Sequence, residues 1–230
     1  MSLQENLFKS AFSVDNVIFG YSNDKLKVLL IKRADNPFQG QWALPGDLVK
    51  TEEDLDDAPL RILKQLTGLD NVYLEQVHTF GKIDRHPKGR VITVAYYSLI
   101  SMLKVNPVAS SFAAEVQWHD VWQINSLAFD HFDIMQACLS QLQRSLKVYP
   151  IGFELLDDRF TLSQLQGLYE TVMNRQLDKR NFRKKILATH LLKDEQRLQE
   201  KVPHRPAKLY KFDKEKYELF KAQGFSFDVI

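Results

Sequence analysis

Apolar and β-branched runs predict several β-strands in the first half of the chain. Two of them, residues 13–21 and 27–33, flank the turn-prone Ser22-Asn23-Asp24 and predict a β-hairpin. Three later runs predict further strands, at residues 72–80, 90–100 and 115–119. The chain therefore opens with a predicted sheet.

Apolar residues at helical spacing predict two helices in the same region. Residues 53–66 carry one apolar stripe, and residues 132–146 carry another. The segment between the hairpin and the first helix, residues 36–46, is rich in Pro and Gly and predicts a loop. The order ββ-loop-α-βββ-α predicts an α+β fold, with helices packed against a mixed sheet.

The last 80 residues begin with two predicted helices. Thr161-x-x-Gln164 is a capping-box signature and starts a predicted helix over residues 161–174. After a short turn, Asp178 is placed to cap a second helix over residues 179–190. Two capped helices joined by a tight turn are typical of a helix-turn-helix.

The segment after these helices predicts a wing. Residues 201–212 contain turn-forming prolines followed by alternation through residues 209–212, which predicts a β-hairpin. A basic side chain at its tip, Arg205, is placed to enter a minor groove. The C-terminal region is therefore predicted to be a winged helix-turn-helix domain.

The chain length and the positions of proline and glycine predict two domains. A chain of 230 residues is long for one compact domain and short for three. Tyr149-Pro150-Ile151-Gly152 interrupts the preceding helical pattern, because proline ends helices and glycine loosens the chain. We therefore expect one domain over residues 1–149 and a second over residues 150–230.

Composition excludes several classes of protein. With 44% hydrophobic and 26% charged residues, the chain is neither disordered nor a coiled coil. Its most apolar stretch, residues 91–100, is far shorter than the roughly 18 residues that span a bilayer. No secretory signal is visible, and one cysteine, Cys138, permits neither an internal disulfide nor a thiolate zinc site. We expect a cytoplasmic protein.

Basic charge is concentrated near the C-terminus. The formal net charge is only +2, but residues 178–216 hold 13 Lys/Arg against 6 Asp/Glu. In the second predicted helix, basic and amide side chains project away from the apolar stripe, so this helix is expected to enter a major groove of DNA. The expected DNA-binding residues are Lys179, Arg180, Asn181, Arg183, Lys184, Arg205 and Lys208. A basic surface that binds a protein partner is the alternative.

Residues 42–69 resemble the Nudix box, Gly-x5-Glu-x7-Arg-Glu-U-x-Glu-Glu-x-Gly-U, in which U is apolar. Its register is set by Glu53, Arg61, Gly68 and Leu69. The resemblance implies a pyrophosphate hydrolase that uses Mg²⁺ or Mn²⁺ held by carboxylates. In this chain Asp47 replaces the first Gly, and the three glutamates after Arg61 are replaced by Ile62, Gln65 and Leu66. We expect no catalytic residue, no metal site and no cofactor.

Two further segments resemble ligand-binding parts of Nudix proteins. Residues 80–97 resemble a strand-loop-strand of relatives of ADP-ribose hydrolases, and residues 128–131 resemble a segment of regulatory Nudix proteins. The expected ligand-binding residues are Arg33, Phe38, Trp42, Asp84, Arg85, Arg90, Asp130 and His131. Core packing is the alternative for Phe38 and Trp42, and a salt bridge between Asp84 and Arg90 is the alternative for the loop.

Nearly the whole chain resembles the Nudix-related transcriptional regulators called NrtR. The C-terminal segments that carry this resemblance are residues 160–166, 178–184 and 205–210. The resemblance implies a homodimer that represses an operon by binding its double-stranded DNA operator, and that releases DNA when a small-molecule effector binds the Nudix-like pocket. Some members respond to ADP-ribose-type metabolites, whereas a branch that includes the arabinose regulators AraR responds to a sugar. The replaced glutamates favour the sugar branch.

The sequence thus predicts a ligand-responsive repressor with an inactive Nudix-like domain. The main alternative is a Nudix pyrophosphatase that hydrolyses ADP-ribose or a nucleoside diphosphate derivative with Mg²⁺. That reaction requires carboxylates that the predicted helix lacks.

Overall fold

A computed structural model describes residues 10–69, 72–109, 113–200, 202–203, 205–225 and 227–230. The chain divides into two compact units. The described residues of the first lie in the ranges up to Gly20 and Lys27–Gln141, and those of the second lie in Tyr21–Leu26 and Leu142–Ile230. The division falls inside a helix, before the predicted domain boundary at residues 149–150, which stays a prediction.

Seven strands form one sheet. They are β1 (Ala11–Ser22), β2 (Lys25–Arg33), β3 (Trp42–Ala43), β4 (Gly46–Leu48), β5 (Tyr73–Phe80), β6 (Val91–Ser101) and β7 (Ala113–Asp120). The sheet has the order β3-β2-β1-β6-β5, with β4 paired to β1 and β7 paired to β2. The predicted hairpin is confirmed, because Asn23 and Asp24 have the positive φ angles that a tight hairpin turn requires.

Two helices belong to this part of the chain, α1 (Asp57–Thr67) and α2 (His131–Val148). The apolar face of α1, with Ile62, Leu63 and Leu66, packs in a core with residues of the sheet such as Val14 and Ile18. The helix begins four residues later than predicted. Residues before it form turns instead, in which the backbone amide of Glu53 donates to the carbonyl of Lys50.

The C-terminal part contains three helices and a second sheet. The elements are α3 (Leu162–Met173), α4 (Lys179–Ala188), β8 (Leu192–Leu198), β9 (Lys208–Phe212) and α5 (Lys214–Ala222), and β8 pairs antiparallel with β9. Tyr169 of α3 and Phe182 of α4 are both buried, with ring centroids 5.4 Å apart. The fold class is confirmed: a mixed sheet with packed helices, followed by a winged helix-turn-helix.

The caps of α3 and α4 are the predicted ones. Thr161 accepts from the backbone amide of Gln164 at 3.1 Å, and the Gln164 side chain accepts from the amide of Thr161 at 2.8 Å. Asp178 accepts from the amide of Asn181 at 2.7 Å. These bonds satisfy amides that a helix start leaves without partners, so both helices begin where the sequence indicates.

Three details of this part differ from the prediction. Helix α4 ends at Ala188, two residues early, because residues 189–190 turn towards β8. Strand β8 and helix α5 were not predicted. The sequence of β8, LKDEQRL, is polar and mostly exposed, so it carries little of the alternation that marks a strand. Among the described residues, no helix is both long and apolar enough to cross a membrane.

Replacement of Thr161 by Ala is expected to lower the free energy of unfolding by about 1 kcal/mol, because the amide of Gln164 loses its acceptor. Equilibrium urea denaturation of the full chain measures this change. Thr161→Ser keeps the hydroxyl and is the matched control. Equal losses in the two variants would contradict the assignment of the cap.

Candidate functional site

The first unit contains a cavity of about 520 Å³. It lies where β1, β2, β4 and the loop between β5 and β6 (residues 81–90) meet the start of α2. Its described lining consists of Ala11, Ser13, Asp15, Ile31, Arg33, Asp35, Leu44, Gly46, Asp47, Leu48, Arg85, His86, Lys88, Gly89, Arg90, Val91, Phe129 and His131. The size suits a small organic ligand.

A buried ionic network forms one wall of the cavity. The guanidinium of Arg85 donates to both carboxylate oxygens of Asp130, at 2.9 and 2.7 Å, and its Nη2 lies 3.4 Å from Asp15 Oδ2. The hydroxyl of Thr93 also donates to Asp15, at 2.8 Å. Because Arg85 and Asp15 are almost completely buried, each requires these partners to compensate for the loss of water.

His131 completes this network as the first residue of α2. Its Nδ1 accepts from the backbone amide of Leu44 at 3.0 Å, so the proton of the neutral ring lies on Nε2, which is 3.4 Å from Asp15 Oδ1. Burial lowers the pKa of His131. The ring is therefore neutral near pH 7 and connects α2 to the segment between β3 and β4.

Gly46 permits a close approach of β4 to β1. A Cβ atom at this position would lie 2.2 Å from Asp15 Oδ1 and 2.8 Å from the carbonyl oxygen of Val14. Both distances are far inside van der Waals contact, so only glycine fits here without moving the buried carboxylate.

Aromatic and cationic side chains surround Phe129 at the other wall. The ring of His86 stacks on it with centroids 5.1 Å apart, Phe38 meets it edge-on at 4.6 Å, and the guanidinium carbon of Arg33 lies 4.8 Å from its centroid. Phe38 and Phe129 both have positive φ angles, +63° and +56°. Bulky residues rarely adopt this conformation, and such strain is concentrated at functional sites.

Three cationic side chains line the cavity and are held by backbone carbonyls. Arg33 donates to the carbonyl of Pro37 at 2.7 Å, Lys88 donates to the carbonyl of Asn36 at 3.1 Å, and Arg90 donates to the carbonyl of Gly81. Within the described ranges, none of the three forms an ion pair with a carboxylate. The cavity therefore favours an anionic ligand.

Only some of the predicted ligand-binding residues line the cavity. Arg33, Arg85, Arg90 and His131 line the cavity. Asp130 holds Arg85, and Phe38 packs on Phe129.

The cavity lining does not include Phe38, Trp42, Asp84 or Asp130, and one alternative is not formed. Trp42 packs on His119 instead, with centroids 4.4 Å apart, and Asp84 is exposed in the loop. Arg90 bonds to a backbone carbonyl rather than to Asp84.

The lining residues that the sequence did not predict include Asp15, His86, Lys88 and Phe129. Asp15 had a visible signal, since it is the one carboxylate in strand β1. The role of Phe129 had no local signal, because its contacts come from residues 33, 38 and 86.

The helix positions that carry glutamates in the Nudix box do not face the cavity here. Ile62 and Leu66 are 0% and 1% exposed within the core, and Gln65 points to solvent. Glu53 is held by Arg61 through two bonds of 2.6 and 3.0 Å. No cluster of three or more metal-ligating side chains occurs in the part of the chain that the structure describes.

The retained part of the box is a structural brace. Besides Glu53, the guanidinium of Arg61 binds Asp47 at 2.9 Å and the carbonyl of Leu48 at 3.2 Å. Arg61 thus connects α1 to β4. The hydrogen bonds from Arg61 lower the pKa of Glu53 below its ordinary value.

The second helix of the helix-turn-helix exposes basic side chains at its start. Lys179, Arg180, Asn181 and Lys184 are exposed, and no ion pair with any of them is present among the described residues. Arg183 is half-buried and donates to the hydroxyl of Ser163 at 3.1 Å.

The two predicted wing residues have different surroundings. Arg205 is exposed between β8 and β9. Lys208 forms an ion pair of 3.0 Å with Asp194 on the facing strand.

Comparison with protein families accounts for both halves of the chain. Residues 13–138 match the NUDIX domain, and residues 152–212 match the NrtR DNA-binding winged helix domain. A repressor from Acinetobacter baylyi, described as "ADPR responsive transcriptional repressor NtrR", is 33% identical over 90% of this chain and 84% of its own length. The chain belongs to the NrtR family. An ADP-ribose pyrophosphatase of Methanocaldococcus jannaschii is 34% identical over 55% of this NrtR-family chain and 71% of its own length.

The solved structures that resemble this NrtR-family protein include two of one relative. The NrtR of Shewanella oneidensis in complex with a 27mer DNA has a TM-score of 0.76 at 32% identity, over 87% of this chain and 93% of the other. The NUDIX domain of the same protein in complex with ADP ribose has a TM-score of 0.52 at 32% identity, over 62% of this chain and 99% of the other.

Replacement of Glu53 by Gln is expected to lower the free energy of unfolding by about 1–3 kcal/mol at pH 7, because Arg61 loses a charged partner. The native pKa of Glu53 lies below that of the unfolded chain, so its stabilisation is present above the unfolded pKa and is lost as pH falls through the native one. The difference between the two proteins should therefore shrink below about pH 4.

Denaturant titrations between pH 7 and pH 3 test this dependence. Glu52→Gln is the control, because Glu52 is exposed and has no ion pair in the described ranges. A Glu53→Gln difference that stayed constant with pH would argue against the brace.

Proposed function

We propose that this protein is a transcriptional repressor whose Nudix domain binds ADP-ribose and thereby weakens the binding of operator DNA. The observation that carries the proposal is the exposed basic start of α4, the second helix of a helix-turn-helix, in a chain whose other unit holds a cavity lined by cations. Among the described residues, Arg33, Lys88 and Arg90 of this lining form no ion pair. The first feature suits DNA, and the second suits an anionic effector.

The DNA contacts divide by side-chain chemistry. Arg180 and Asn181 lie at the exposed start of α4, where guanidinium and amide groups read guanine and adenine. Lys179, Arg183, Lys184 and Lys208 contact phosphates, and Arg205 enters a minor groove. Lys208 must exchange its Asp194 partner for a phosphate, so it contributes less affinity than an unpaired lysine.

The relatives of this chain and the charge of the cavity lining both support ADP-ribose as the effector. The relative from A. baylyi is described as responsive to this compound, and a solved relative holds it in the Nudix domain. Arg33, Lys88 and Arg90 also suit a diphosphate better than an uncharged pentose. The preference for a sugar that the replaced glutamates suggested has no support among these relatives.

A homodimer is part of the proposal. Two copies of α4 related by a two-fold axis read a near-palindromic operator with half-sites about one helical turn apart, or a multiple of that distance. ADP-ribose acts by preferring the dimer geometry that does not fit DNA, so its effect is limited by its differential affinity for the two states.

Hydrolysis of ADP-ribose is the second candidate function, favoured by the relative from M. jannaschii. The positions of the box that provide carboxylates hold Ile62, Gln65 and Leu66, so we expect the pocket to bind ADP-ribose without cleaving it. Release of AMP in the presence of Mg²⁺ would support the enzyme instead.

Fluorescence anisotropy with DNA from the upstream region of the gene tests the repressor. We expect tight binding that weakens as the salt concentration increases, because phosphate contacts release counterions. ADP-ribose should weaken this binding, whereas arabinose should leave it unchanged. Arg180→Ala should weaken operator binding by about 1–3 kcal/mol and reduce discrimination against unrelated DNA.

Lys221→Ala is the matched control, because Lys221 is exposed on α5 and lies outside the proposed DNA-contacting set. If arabinose weakens DNA binding and ADP-ribose does not, the effector is a sugar. If Arg180→Ala leaves the operator affinity unchanged, α4 is not the helix that reads the DNA sequence. If the protein binds no DNA at any salt concentration, the proposal of a repressor is contradicted.

A further inference from the structure

The cavity does not offer the ligands that a Nudix metal requires. Hard divalent cations bind several carboxylate or carbonyl oxygens at once. Ile62 and Leu66 are enclosed in the core, and Gln65 is a neutral, solvent-facing amide. The donor set of the Nudix box therefore does not fit a Mg²⁺ or Mn²⁺ ion in this chain.

Most carboxylates beside the cavity are already committed to protein partners. Glu53 and Asp47 bind Arg61. Asp15 is held by Arg85 and Thr93. Asp35, exposed at the rim, is a single carboxylate that cannot by itself replace the several oxygens of a metal site.

Three cations of the lining, against the single carboxylate of Asp35, form no ion pair among the described residues, so this charge is positive on balance and is held in position. Arg33 lies at the end of β2, whereas Lys88 and Arg90 lie in the β5–β6 loop. Each bonds to a backbone carbonyl, which restricts the side chain without neutralising it. The bond from Lys88 to the carbonyl of Asn36 also joins this loop to the segment after β2. The cations are therefore preorganised on two sides of one cavity.

We infer that Arg33, Lys88 and Arg90 neutralise the diphosphate of the effector and that ADP-ribose binds without a divalent cation. This inference rests on the proposed function and adds to it the chemistry of recognition. Guanidinium groups bind phosphate oxygens through charge-assisted hydrogen bonds, which take the place of metal coordination. The same arrangement explains how a pocket with the Nudix fold retains a diphosphate ligand when its helix presents no glutamates.

Isothermal titration of the full chain with ADP-ribose tests the inference, first in excess EDTA and then in millimolar MgCl₂. The dissociation constants should agree within about twofold, because no step of binding uses the metal. Arg90→Gln and Lys88→Gln should each weaken binding by about tenfold in EDTA, as expected when one charge-assisted bond is lost.

Lys82→Gln is the matched control, since Lys82 is exposed in the same loop but does not line the cavity. Adenosine provides a ligand control, because a compound without phosphate should bind the Arg90→Gln variant as well as it binds the unchanged protein. Arg33 is left intact in this test, since it also packs on Phe129.

The outcomes separate the two claims. Binding that requires Mg²⁺ would overturn the inference and leave the effector assignment in place. Full affinity in both the Arg90 and Lys88 variants would also overturn it. Binding in neither EDTA nor MgCl₂ would overturn the effector assignment, and the inference with it.

Discussion

A buried guanidinium holds together one wall of the cavity. Arg85, from the β5–β6 loop, binds Asp130 immediately before α2 and Asp15 on β1, and so joins three parts of the chain. Ion pairs of this kind are costly to bury, and removal of one partner leaves an uncompensated charge. The network is therefore constrained as a unit, and His131 and Gly46 fit around the same Asp15 carboxylate.

This network also explains which charges remain for a ligand. Arg85 is neutralised within the protein, as is Arg61 in the brace between α1 and β4. Among the described residues, Arg33, Lys88 and Arg90 form no ion pair with a carboxylate, and each donates to a backbone carbonyl. The Nudix fold is thus retained, while cations line its pocket and the helix positions that carry glutamates in the Nudix box hold Ile62, Gln65 and Leu66.

Local patterns predicted much of the fold. The hairpin before Lys25, the capping box at Thr161 and the cap at Asp178 depend on residues close in sequence, so each could be recognised without a structure. The start of α1 and the polar strand β8 could not, because the first depends on the pairing of Glu53 with Arg61 and the second on its partner β9. Four of the eight expected ligand-binding residues line the cavity. Asp15 and Phe129 meet their partners across as many as 116 residues of sequence, which no periodicity reveals.

The central claim is that ADP-ribose and operator DNA favour different states of the same conformational equilibrium. Linkage requires that DNA weaken the binding of ADP-ribose by the same factor by which ADP-ribose weakens the binding of DNA. The most direct test is calorimetric titration of ADP-ribose into the protein alone and into the protein saturated with operator DNA. The account predicts a higher dissociation constant in the presence of DNA, by the factor measured in the reverse experiment. An identical dissociation constant in both titrations would contradict it.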